Sequence, residues 1–246
     1  MIEINSLSKS YKEGLTKKRV QALTDLSLQV SSGEVFGFLG PNGAGKSTTI
    51  KMLVNLVFPD SGSITLFGQQ PGTQAVQRRI GFLPENPYFY DYLTAEELLW
   101  FAGTACNMDR ASIRKRSAEL FEQVDLTAAA RRPLRTYSKG MVQRAGLAAA
   151  LVHDPDLVIL DEPMSGLDPI GRKMVGDIIL DLKAQGKTVF FSSHILTDIE
   201  RFSDRIGILA AGKLLLAGDL NGIVTEEMSL EDVFLQQVLT TREVQL

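Results

Sequence analysis

Short apolar segments separated by turn residues make up the first third of the chain. Clusters such as Pro59-Asp60-Ser61-Gly62 are typical of turns, and the apolar segments between such clusters are typical of strands. We therefore predict strands at Ile2–Asn5, Leu26–Val30, Val35–Leu39, Ile64–Phe67 and Ile80–Leu83. One helix, over about residues 45–56, is predicted to interrupt these strands.

The middle of the chain, about residues 94–152, is predicted to be helical. Thr94 and Glu97 have the spacing of a capping box at a helix start. Apolar residues then recur at positions i, i+3, i+4 and i+7, which predicts a buried face formed by Leu98, Phe101, Ala102 and Ala105. Ser138 precedes another apolar helical segment, so we expect an inserted helical lobe.

The last third alternates apolar strands with helices. Strands are predicted at Leu157–Leu160, Thr188–Phe191, Arg205–Leu209 and Lys213–Ala217, with helices over about residues 170–185 and 197–203. This alternation indicates a parallel α/β sheet with crossover helices. Near the end, Leu230–Leu235 is predicted to form a short helix that packs on the body of the protein.

The composition is that of a folded globular protein, because 44% of the 246 residues are hydrophobic and 22% are charged. The formal net charge of −3 provides no basic field that would attract nucleic acid, so we expect no nucleic-acid partner. A single cysteine, Cys106, and an N-terminus without a signal-like apolar stretch favour a reducing cytosol. The longest apolar run, residues 145–152, is far shorter than the ~20 residues of a membrane-spanning helix, so a membrane role would require a partner.

A glycine-rich loop between the strand Val35–Leu39 and the following helix carries the strongest chemical signal. It matches the G-x-x-x-x-G-K-[ST] phosphate-binding pattern. Glycines let backbone N–H groups wrap a polyphosphate, while Lys46 reaches the β- and γ-phosphates and Ser47 holds Mg²⁺. We expect the phosphates to be bound by Gly40, Pro41, Asn42, Gly43, Ala44, Gly45, Lys46, Ser47 and Thr48.

Two carboxylates, Asp161 and Glu162, follow the apolar strand Leu157–Leu160. Ligand sites in α/β proteins lie at the C-terminal ends of such strands. We expect Asp161 to lie in the outer coordination sphere of Mg²⁺ and Glu162 to polarise the attacking water. Alone, such a pair would more often be a solvated strand end, but the phosphate loop favours the catalytic interpretation.

Further motifs follow in a fixed order, and the sequence has no Asn-Lys-x-Asp guanine-reading motif. They are Tyr137-Ser138-Lys139-Gly140-Met141-Val142-Gln143-Arg144, Asp161-Glu162-Pro163, Ser165-Gly166-Leu167-Asp168 and His194. In this order and spacing the chain, from about Ile2 to Leu220, resembles the ATP-binding-cassette (ABC) ATPases. The resemblance implies ATP and Mg²⁺ as ligands and ATP hydrolysis as the activity.

The resemblance also implies the fold class. It is an α/β P-loop NTPase (RecA-like) core with an N-terminal antiparallel β subdomain and an inserted α-helical subdomain. On this chain the core with the β subdomain would span 1–84 and 153–222, the helical signature subdomain 85–152, and a C-terminal helical tail 223–246.

Members of the family bind ATP between two cassettes arranged head to tail, so the resemblance implies a homodimer or a paired cassette subunit. Ser138, Lys139 and Gly140 would face the γ-phosphate held by the partner, and Asp168 would bridge the two chains. The plainer alternative for Ser138 and Asp168 is a helix N-cap, and a cap can also serve the nucleotide.

Three further roles rest on the resemblance. His194 would contact the γ-phosphate as a switch and would act with Glu162 and Lys46 in catalysis, although an isolated histidine after a strand is more often ordinary packing. Tyr11 would stack on adenine, with only modest specificity for the base. Its alternative is a plain tyrosine at a strand end.

Two residues depart from the family pattern. Glu85 replaces the glutamine that many cassettes carry after Leu-Pro, and a carboxylate can still ligate Mg²⁺, so the metal ligands are expected to be Ser47, Glu85 and Asp161. Lys139 stands where the family signature has glycine. Its side chain must turn away from the phosphates or add a cation to them, and the sequence leaves both open.

Aromatic residues crowd the loop after Glu85, at Tyr88, Phe89, Tyr90 and Tyr92. In the family this loop lies beside the groove that receives the membrane subunit, so Tyr88–Tyr92 are expected to contact a permease. The alternative is that most of the rings pack into the core of the helical lobe.

The Tyr-Ser-Lys-Gly-Met signature, the Leu-Pro-Glu variant and the terminal Leu230–Leu235 resemble the type-2 exporter subfamily. The leading hypothesis is the ATP-hydrolysing subunit of an exporter, held at the cytoplasmic face of the inner membrane by a separate integral membrane permease. The alternatives are a soluble ABC ATPase acting on DNA or the ribosome, and a regulatory cassette that gates a sensor protein. The soluble class is disfavoured because about 90 residues, without sustained heptads, separate Ser47 from Ser138.

Overall fold

The computed structural model describes residues 1–12, 19–225 and 228–243, with side chains described as far as residue 239. The chain divides into two compact units, one formed by Met1–Gln77 with Phe190–Leu246 and the other by Arg78–Val189. The domain boundaries expected from the family resemblance stay a prediction. Residues 226–227 and 244–246 of the expected C-terminal tail lie outside the described residues.

Strands and helices are numbered in chain order. The strands are β1 (Ile2–Lys12), β2 (Arg19–Val30), β3 (Val35–Leu39), β4 (Ser61–Leu66), β5 (Ile80–Leu83), β6 (Leu157–Leu160), β7 (Thr188–Ser193), β8 (Arg205–Ala210) and β9 (Lys213–Asp219). The helices are α1 (Lys46–Leu53), α2 (Gln74–Gln77), α3 (Ala95–Ala105), α4 (Arg110–Gln123), α5 (Lys139–Leu151), α6 (Pro169–Ala184), α7 (Leu196–Phe202), α8 (Leu220–Ile223) and α9 (Leu230–Glu243). Two short 3₁₀ turns, Thr127–Ala129 and Leu134–Thr136, precede α5.

A three-stranded antiparallel sheet with the order β2-β1-β4 forms one layer of the first unit. Ile2 lies opposite both Val30 of β2 and Leu66 of β4, and all three side chains are buried. Alternate residues of β1 face solvent, which is the pattern of an antiparallel sheet with one covered face. The sheet is the predicted N-terminal β layer, with longer strands than the sequence indicated.

The second group of strands in the first unit contains the strand that precedes the phosphate loop. β3 pairs in parallel with β8, and β8 pairs antiparallel with β9. Every side chain of β3 is buried, and the Phe190 ring of β7 stacks on Phe36 at 5.6 Å between ring centroids. Strands buried on both faces are typical of parallel α/β sheets, as predicted.

The second unit combines a parallel strand pair with helices α3 to α6. β5 and β6 pair in parallel, with Leu83 opposite Leu160. Thr94 and Glu97 form the predicted capping box at the start of α3, with reciprocal side-chain and backbone hydrogen bonds. The α5 helix begins, as predicted, directly after Ser138.

The predicted buried face of α3 is only partly correct, because Leu98 is buried and Ala102 half-buried, whereas Phe101 and Ala105 are exposed. Leu98 and Leu99 are buried, whereas Phe101 is 68% exposed. Gly103 fixes the face because a Cβ on it would lie 2.7 Å from Ile113 of α4, so the two helices approach closely there. Because α3 carries apolar residues on several sides, its sequence is compatible with more than one buried face.

The C-terminal helix α9 packs on the first unit, where it contacts α7 and β8. Leu230 and Val233 are buried and anchor its first turn, as expected for the predicted terminal helix. Leu235 and Leu239 stay about half exposed. Within the ranges that the structure describes, no helix is both long and apolar enough to cross a bilayer.

Candidate functional site

The phosphate loop joins the buried strand β3 to helix α1, the arrangement that the motif requires. Gly43 and Gly45 have φ angles of 79° and 111°, which L side chains rarely adopt. A Cβ on Gly45 would also lie only 2.7 Å from the carbonyl oxygen of Ala22. Glycine at position 45 is therefore required by both backbone conformation and space.

Hydrogen bonds from neighbouring segments hold the loop in place. The Ala44 N–H donates to the Pro41 carbonyl oxygen at 3.2 Å, which closes the loop on itself. The Gly212 N–H, from the β8–β9 turn, donates to the Ala44 carbonyl oxygen at 3.0 Å. Gly212 in turn accepts a hydrogen bond from the Thr24 N–H at 2.8 Å. The loop is thus preorganised by β2 and by the β8–β9 turn.

Lys46 folds back over the loop from the first position of α1. Its side chain is nearly buried, at 5% exposure, and its Nζ donates to the Gly40 carbonyl oxygen at 2.7 Å. A second, longer contact joins Nζ to the Pro41 carbonyl oxygen at 3.4 Å. Ser47 and Thr48 follow in the first turn of α1, where both are half-buried. The ammonium therefore lies against the loop that is predicted to bind the phosphates.

Tyr11 lies near the end of β1, opposite Val20 of β2, and its ring is 41% exposed. The Lys9 ammonium lies 5.7 Å from the centre of the ring. Asp60 holds that ammonium at 2.9 Å and also accepts hydrogen bonds from the N–H and Oγ of Ser10. These contacts, the Lys9 hydrogen bond first, lower the pKa of Asp60 to about 2. The ring is accessible for stacking and has a fixed cation beside it.

His194 follows β7 and is exposed. The Oγ of Ser193 accepts a hydrogen bond from the Ile195 N–H at 2.9 Å, which shapes the turn that presents the histidine. Phe190, earlier in β7, packs against Phe36 and Phe38 of β3. The strand before His194 therefore lies beside the strand before the phosphate loop. An exposed ring argues against the alternative of ordinary core packing.

In the second unit, Asp161 and Glu162 directly follow β6. Both are buried, at 3% and 7% exposure, and the Asp161 N–H donates to the Leu83 carbonyl oxygen at 2.8 Å. Glu162 has a φ of 50°, a left-handed conformation that is uncommon for a residue with a side chain. Glu85 is exposed and lies just beyond β5, the parallel partner of β6. The strand pairing thus brings the ends that carry all three acids together.

Ser138 is the N-cap of α5. Its Oγ accepts a hydrogen bond from the Met141 N–H at 3.2 Å, so the capping alternative is correct. Lys139 and Gly140 occupy the first turn of the helix. The contact of these residues with the γ-phosphate held by a partner chain stays a prediction.

Asp168 is the N-cap of α6, with Pro169 at the first helical position. Its Oδ1 accepts a hydrogen bond from the Gly171 N–H at 2.8 Å. The residue is exposed, and its capping alternative is also correct. Bridging to a second chain stays a prediction.

The predicted site residues therefore fall into two sets, one in each unit. The first unit contains Tyr11, the phosphate loop and His194. The second unit contains the other predicted site residues, which are Glu85, Ser138, Lys139, Gly140, Asp161, Glu162 and Asp168. Within the described part of the chain, no cluster of three or more His, Cys, Asp or Glu side chains is arranged to hold a metal ion.

A further residue of the second unit, Gln143, was quoted in a sequence motif but given no role there. Gln143 of α5 is only 2% exposed, and its Nε2 donates to the Pro163 carbonyl oxygen at 3.4 Å. It supports the segment that follows Glu162. A glutamine inside an otherwise apolar helical run was the available signal.

Three tyrosines after Glu85 point into solvent. Tyr88 is 96% exposed, Tyr90 67% and Tyr92 61%. The rings of Tyr90 and Tyr92 stack with their centroids 5.6 Å apart. Phe89 is half-buried, and a Cβ on Gly146 of α5 would lie 3.3 Å from its ring. The alternative that most of these rings pack in the core is therefore wrong.

Sequence comparisons identify similar proteins. The family model described as ABC transporter matches residues 23–165. The uncharacterized ABC transporter ATP-binding protein sll0415 of Synechocystis sp. is 46% identical over 236 residues, which are 95% of this chain and 67% of that protein. The lantibiotic transport ATP-binding protein SrtF of Streptococcus pyogenes is 36% identical over 97% of this chain and 98% of its own length. The bacitracin transport ATP-binding protein BcrA of Bacillus licheniformis is 44% identical over 79% of this chain and 64% of its own length.

Solved structures show the same fold. The ATP-binding subunit of an ABC transporter superposes with a TM-score of 0.86 at 31% identity, over 96% of this chain and 98% of that one. A dimeric structure of the ATP-binding cassette MJ0796, in a post-hydrolysis state with ADP and phosphate bound, has a TM-score of 0.82 at 26% identity. That match covers 90% of this chain and all of the other. The predicted fold class, a P-loop NTPase core with a β subdomain and inserted helices, is confirmed.

Proposed function

Because this chain belongs to the ABC transporter family, we propose that it powers an exporter whose membrane-spanning part is a separate polypeptide. The chain is an ATP-binding and ATP-hydrolysing subunit of such a transporter. The observation that carries the chemistry is the phosphate loop, with the nearly buried Lys46 ammonium folded over it. An ammonium held in this way is suited to binding the phosphates of ATP.

ATP is bound first by the phosphate loop. The backbone N–H groups that Gly40–Thr48 offer, all but that of Pro41, and the positive end of α1 surround the β- and γ-phosphates. Lys46 exchanges a carbonyl partner for phosphate oxygens, which gains a charge-assisted hydrogen bond. Tyr11 stacks on the adenine ring through its exposed face. Because an aromatic ring can stack on any flat base, we expect only a modest preference for ATP over GTP.

The donor chemistry of the predicted ligands suits a Mg²⁺ ion bound together with the nucleotide. Mg²⁺ prefers oxygen ligands and is usually held by one or two carboxylates plus substrate phosphates and waters. Asp161 offers a buried carboxylate, Ser47 a hydroxyl in the first turn of α1, and Glu85 an exposed carboxylate in place of glutamine. The ion, when bound, neutralises charge on the β- and γ-phosphates.

Hydrolysis is assigned to Glu162, with His194 and Lys46 in support. The Glu162 carboxylate orients a water and accepts its proton as the water attacks the γ-phosphate. His194 contacts the γ-phosphate, and the Lys46 ammonium balances the charge that develops on the phosphate oxygens. Glu162 suits this role because it is buried and held in an uncommon backbone conformation.

A second cassette completes the site. Ser138 and the backbone N–H groups of Lys139 and Gly140 at the start of α5 face the γ-phosphate bound by the partner chain, and Asp168 crosses the interface. The positive end of a helix stabilises an anion, and Ser138 keeps its cap while it does so. The cassette MJ0796, which is dimeric with ADP and phosphate bound and which this chain resembles over 90% of its length, supports a dimer.

The permease contact is assigned to the exposed aromatic loop. Tyr88, Tyr90 and Tyr92 expose most of their surface, and aromatic side chains are common anchors in protein interfaces. A peripheral position at the cytoplasmic face of the inner membrane follows if a permease holds the chain there. Export is supported by relatives whose names refer to bacitracin and lantibiotic transport, and the cargo is a drug, lipid, glycan or small peptide.

The test is to purify the tagged chain from its own detergent-solubilised membranes and to identify the co-purifying proteins by mass spectrometry. The Tyr90→Ala/Tyr92→Ala double variant is the matched control. A polytopic membrane protein in comparable amount, lost with the double variant, supports the proposal. Ribosomal or DNA-repair proteins without a permease would contradict it and favour the soluble alternative.

A further inference from the structure

The first turn of α5 packs against the segment Pro163–Asp168, which follows Glu162. Gly166 in this segment has a φ of 72°, and a Cβ on it would lie 3.0 Å from Cε and 3.1 Å from Cδ of Lys139. The aliphatic part of the Lys139 side chain therefore lies across the backbone of Gly166. The stem of this lysine thus turns toward a segment of its own chain.

The packing is reciprocal. Leu167 lies against Gly140, where a Cβ would be 3.4 Å from the leucine Cδ2. One turn further along the same face of α5, the buried Gln143 donates to the Pro163 carbonyl oxygen. Lys139 of α5 thus packs on Gly166 of the segment, and Leu167 of the segment packs on Gly140 of α5. With Gln143, three residues of α5 contact the Pro163–Asp168 segment.

A lysine at this position is not explained by helix stability. A cation in the first turn of a helix opposes the helix dipole, and the first turn of α5 has no acidic residue to offset it. Within the part of the chain that the structure describes, Lys139 forms no ion pair. The contact of its stem with Gly166 is the interaction that the structure assigns to this side chain.

We propose that Lys139 is a positioning residue that holds the Pro163–Asp168 segment on the start of α5. Glu162 lies immediately before this segment and Asp168 at its end, so the contact fixes both relative to Ser138. Two hydrogen bonds inside the segment, from the Ser165 N–H to the Glu162 carbonyl oxygen at 3.0 Å and from the Leu167 N–H to the Met164 carbonyl oxygen at 3.3 Å, report its order. The consequence for ATP hydrolysis rests on the proposed function.

The first experiment needs neither nucleotide nor a second chain. Hydrogen exchange of the Ser165 and Leu167 amides is measured in Lys139→Ala, Lys139→Met and, as an exposed-lysine control on α4, Lys115→Ala. Exchange should rise at least about fivefold in Lys139→Ala and stay within about twofold in Lys139→Met, whose side chain keeps the stem, and in the control. Unchanged exchange in Lys139→Ala, or equal exchange in the Ala and Met variants, overturns the proposal.

The second experiment measures ATP hydrolysis. Lys139→Ala should lower kcat about three- to tenfold with KM for ATP nearly unchanged, and Lys139→Met should restore most of the rate. Gly166→Ala should also lower kcat, in part through its left-handed backbone and in part through the displaced Lys139 stem. Its effect should therefore be smaller in the Lys139→Ala background than alone, because that background removes the second part. Independent effects of the two changes would contradict the proposal. If the parental chain itself does not hydrolyse ATP, the proposed function fails, while the exchange experiment still decides the role of Lys139.

Discussion

Lys46 illustrates what a single side chain contributes to this molecule. Its ammonium is almost fully buried, and two carbonyl oxygens of the phosphate loop lie within reach of it. Burying a charge is unfavourable unless strong partners compensate, so the position is suited to an anionic ligand. The sequence motif predicted this role, and the structure shows the geometry that makes it possible.

We expect Lys46→Ala to weaken ATP binding about 10- to 100-fold, because a charge-assisted contact to phosphate is lost. Titration with a fluorescent ATP analogue measures the dissociation constant directly. Lys115→Ala, an exposed lysine on α4, is the control and should bind as the parental chain does. Equal affinity of Lys46→Ala and the parental chain would remove Lys46 from the site.

Other single residues were only partly predictable. The caps at Ser138 and Asp168 follow from local sequence, because a polar side chain before a helix accepts hydrogen bonds from its first turn. The direction of the Lys139 side chain does not follow from local sequence. It depends on Gly166, which lies far along the chain and whose backbone leaves room for the lysine stem. Tertiary contacts of this kind carry no local sequence pattern.

Among the helices and strands, the buried strands have bounds that agree best with the sequence prediction. β3, β5 and β6 have the predicted bounds, because continuous apolar runs between turn residues leave few alternatives. β1 extends well beyond the predicted Asn5, as a left-handed Ser6 breaks the alternation and the strand then resumes. The face of α3 could not be predicted, because only its packing against α4 selects one of several apolar stripes.

A half-buried histidine links two of these elements, α5 and β5, and makes stability depend on pH. His153 follows α5, and its Nε2 lies 3.0 Å from the Ile80 carbonyl oxygen of β5, while Nδ1 is buried without a hydrogen-bond partner among the described residues. Burial lowers the pKa of His153 below its usual 6.5, an effect larger than the opposing effects of the Ile80 hydrogen bond and of the Asp154 charge. Below pH 6.5 the unfolded chain takes up a proton that the folded chain resists, so stability falls as pH falls.

The free energy of unfolding should therefore decrease between pH 7.5 and 5.5, by at most about 1.4 kcal/mol per pH unit from this residue. His153→Gln can keep a hydrogen bond to Ile80 but cannot titrate, so its unfolding should depend less on pH in this window. Urea denaturation of both chains at the two pH values makes the comparison. An unchanged pH dependence in His153→Gln would show that another group is responsible.

The whole molecule exposes an aromatic surface that its own folding does not use. Tyr90 and Tyr92 stack on each other and face solvent, so removing them costs little stability. For Tyr90→Ala/Tyr92→Ala we expect the free energy of unfolding to change by less than about 0.5 kcal/mol. Assembly with the permease and transport should be lost, and pull-down with a transport assay measures both. Intact assembly together with a destabilised chain would return these rings to a structural role.

Two copies of the chain are proposed to enclose ATP, with Glu162 driving its hydrolysis. Removing the catalytic carboxylate while keeping its shape should trap the state before hydrolysis. In Glu162→Gln we expect ATP to bind normally and turnover to fall by at least about 100-fold.

Size-exclusion chromatography with light scattering on Glu162→Gln is the most direct test. With Mg-ATP the variant should elute at twice the 27.0 kDa mass of one chain, and with ADP at the single mass. The parental chain, assayed in parallel, should hydrolyse ATP and show little of the larger species. A variant that hydrolyses ATP at the parental rate and stays at the single mass with Mg-ATP would contradict both the role of Glu162 and the nucleotide-enclosing dimer.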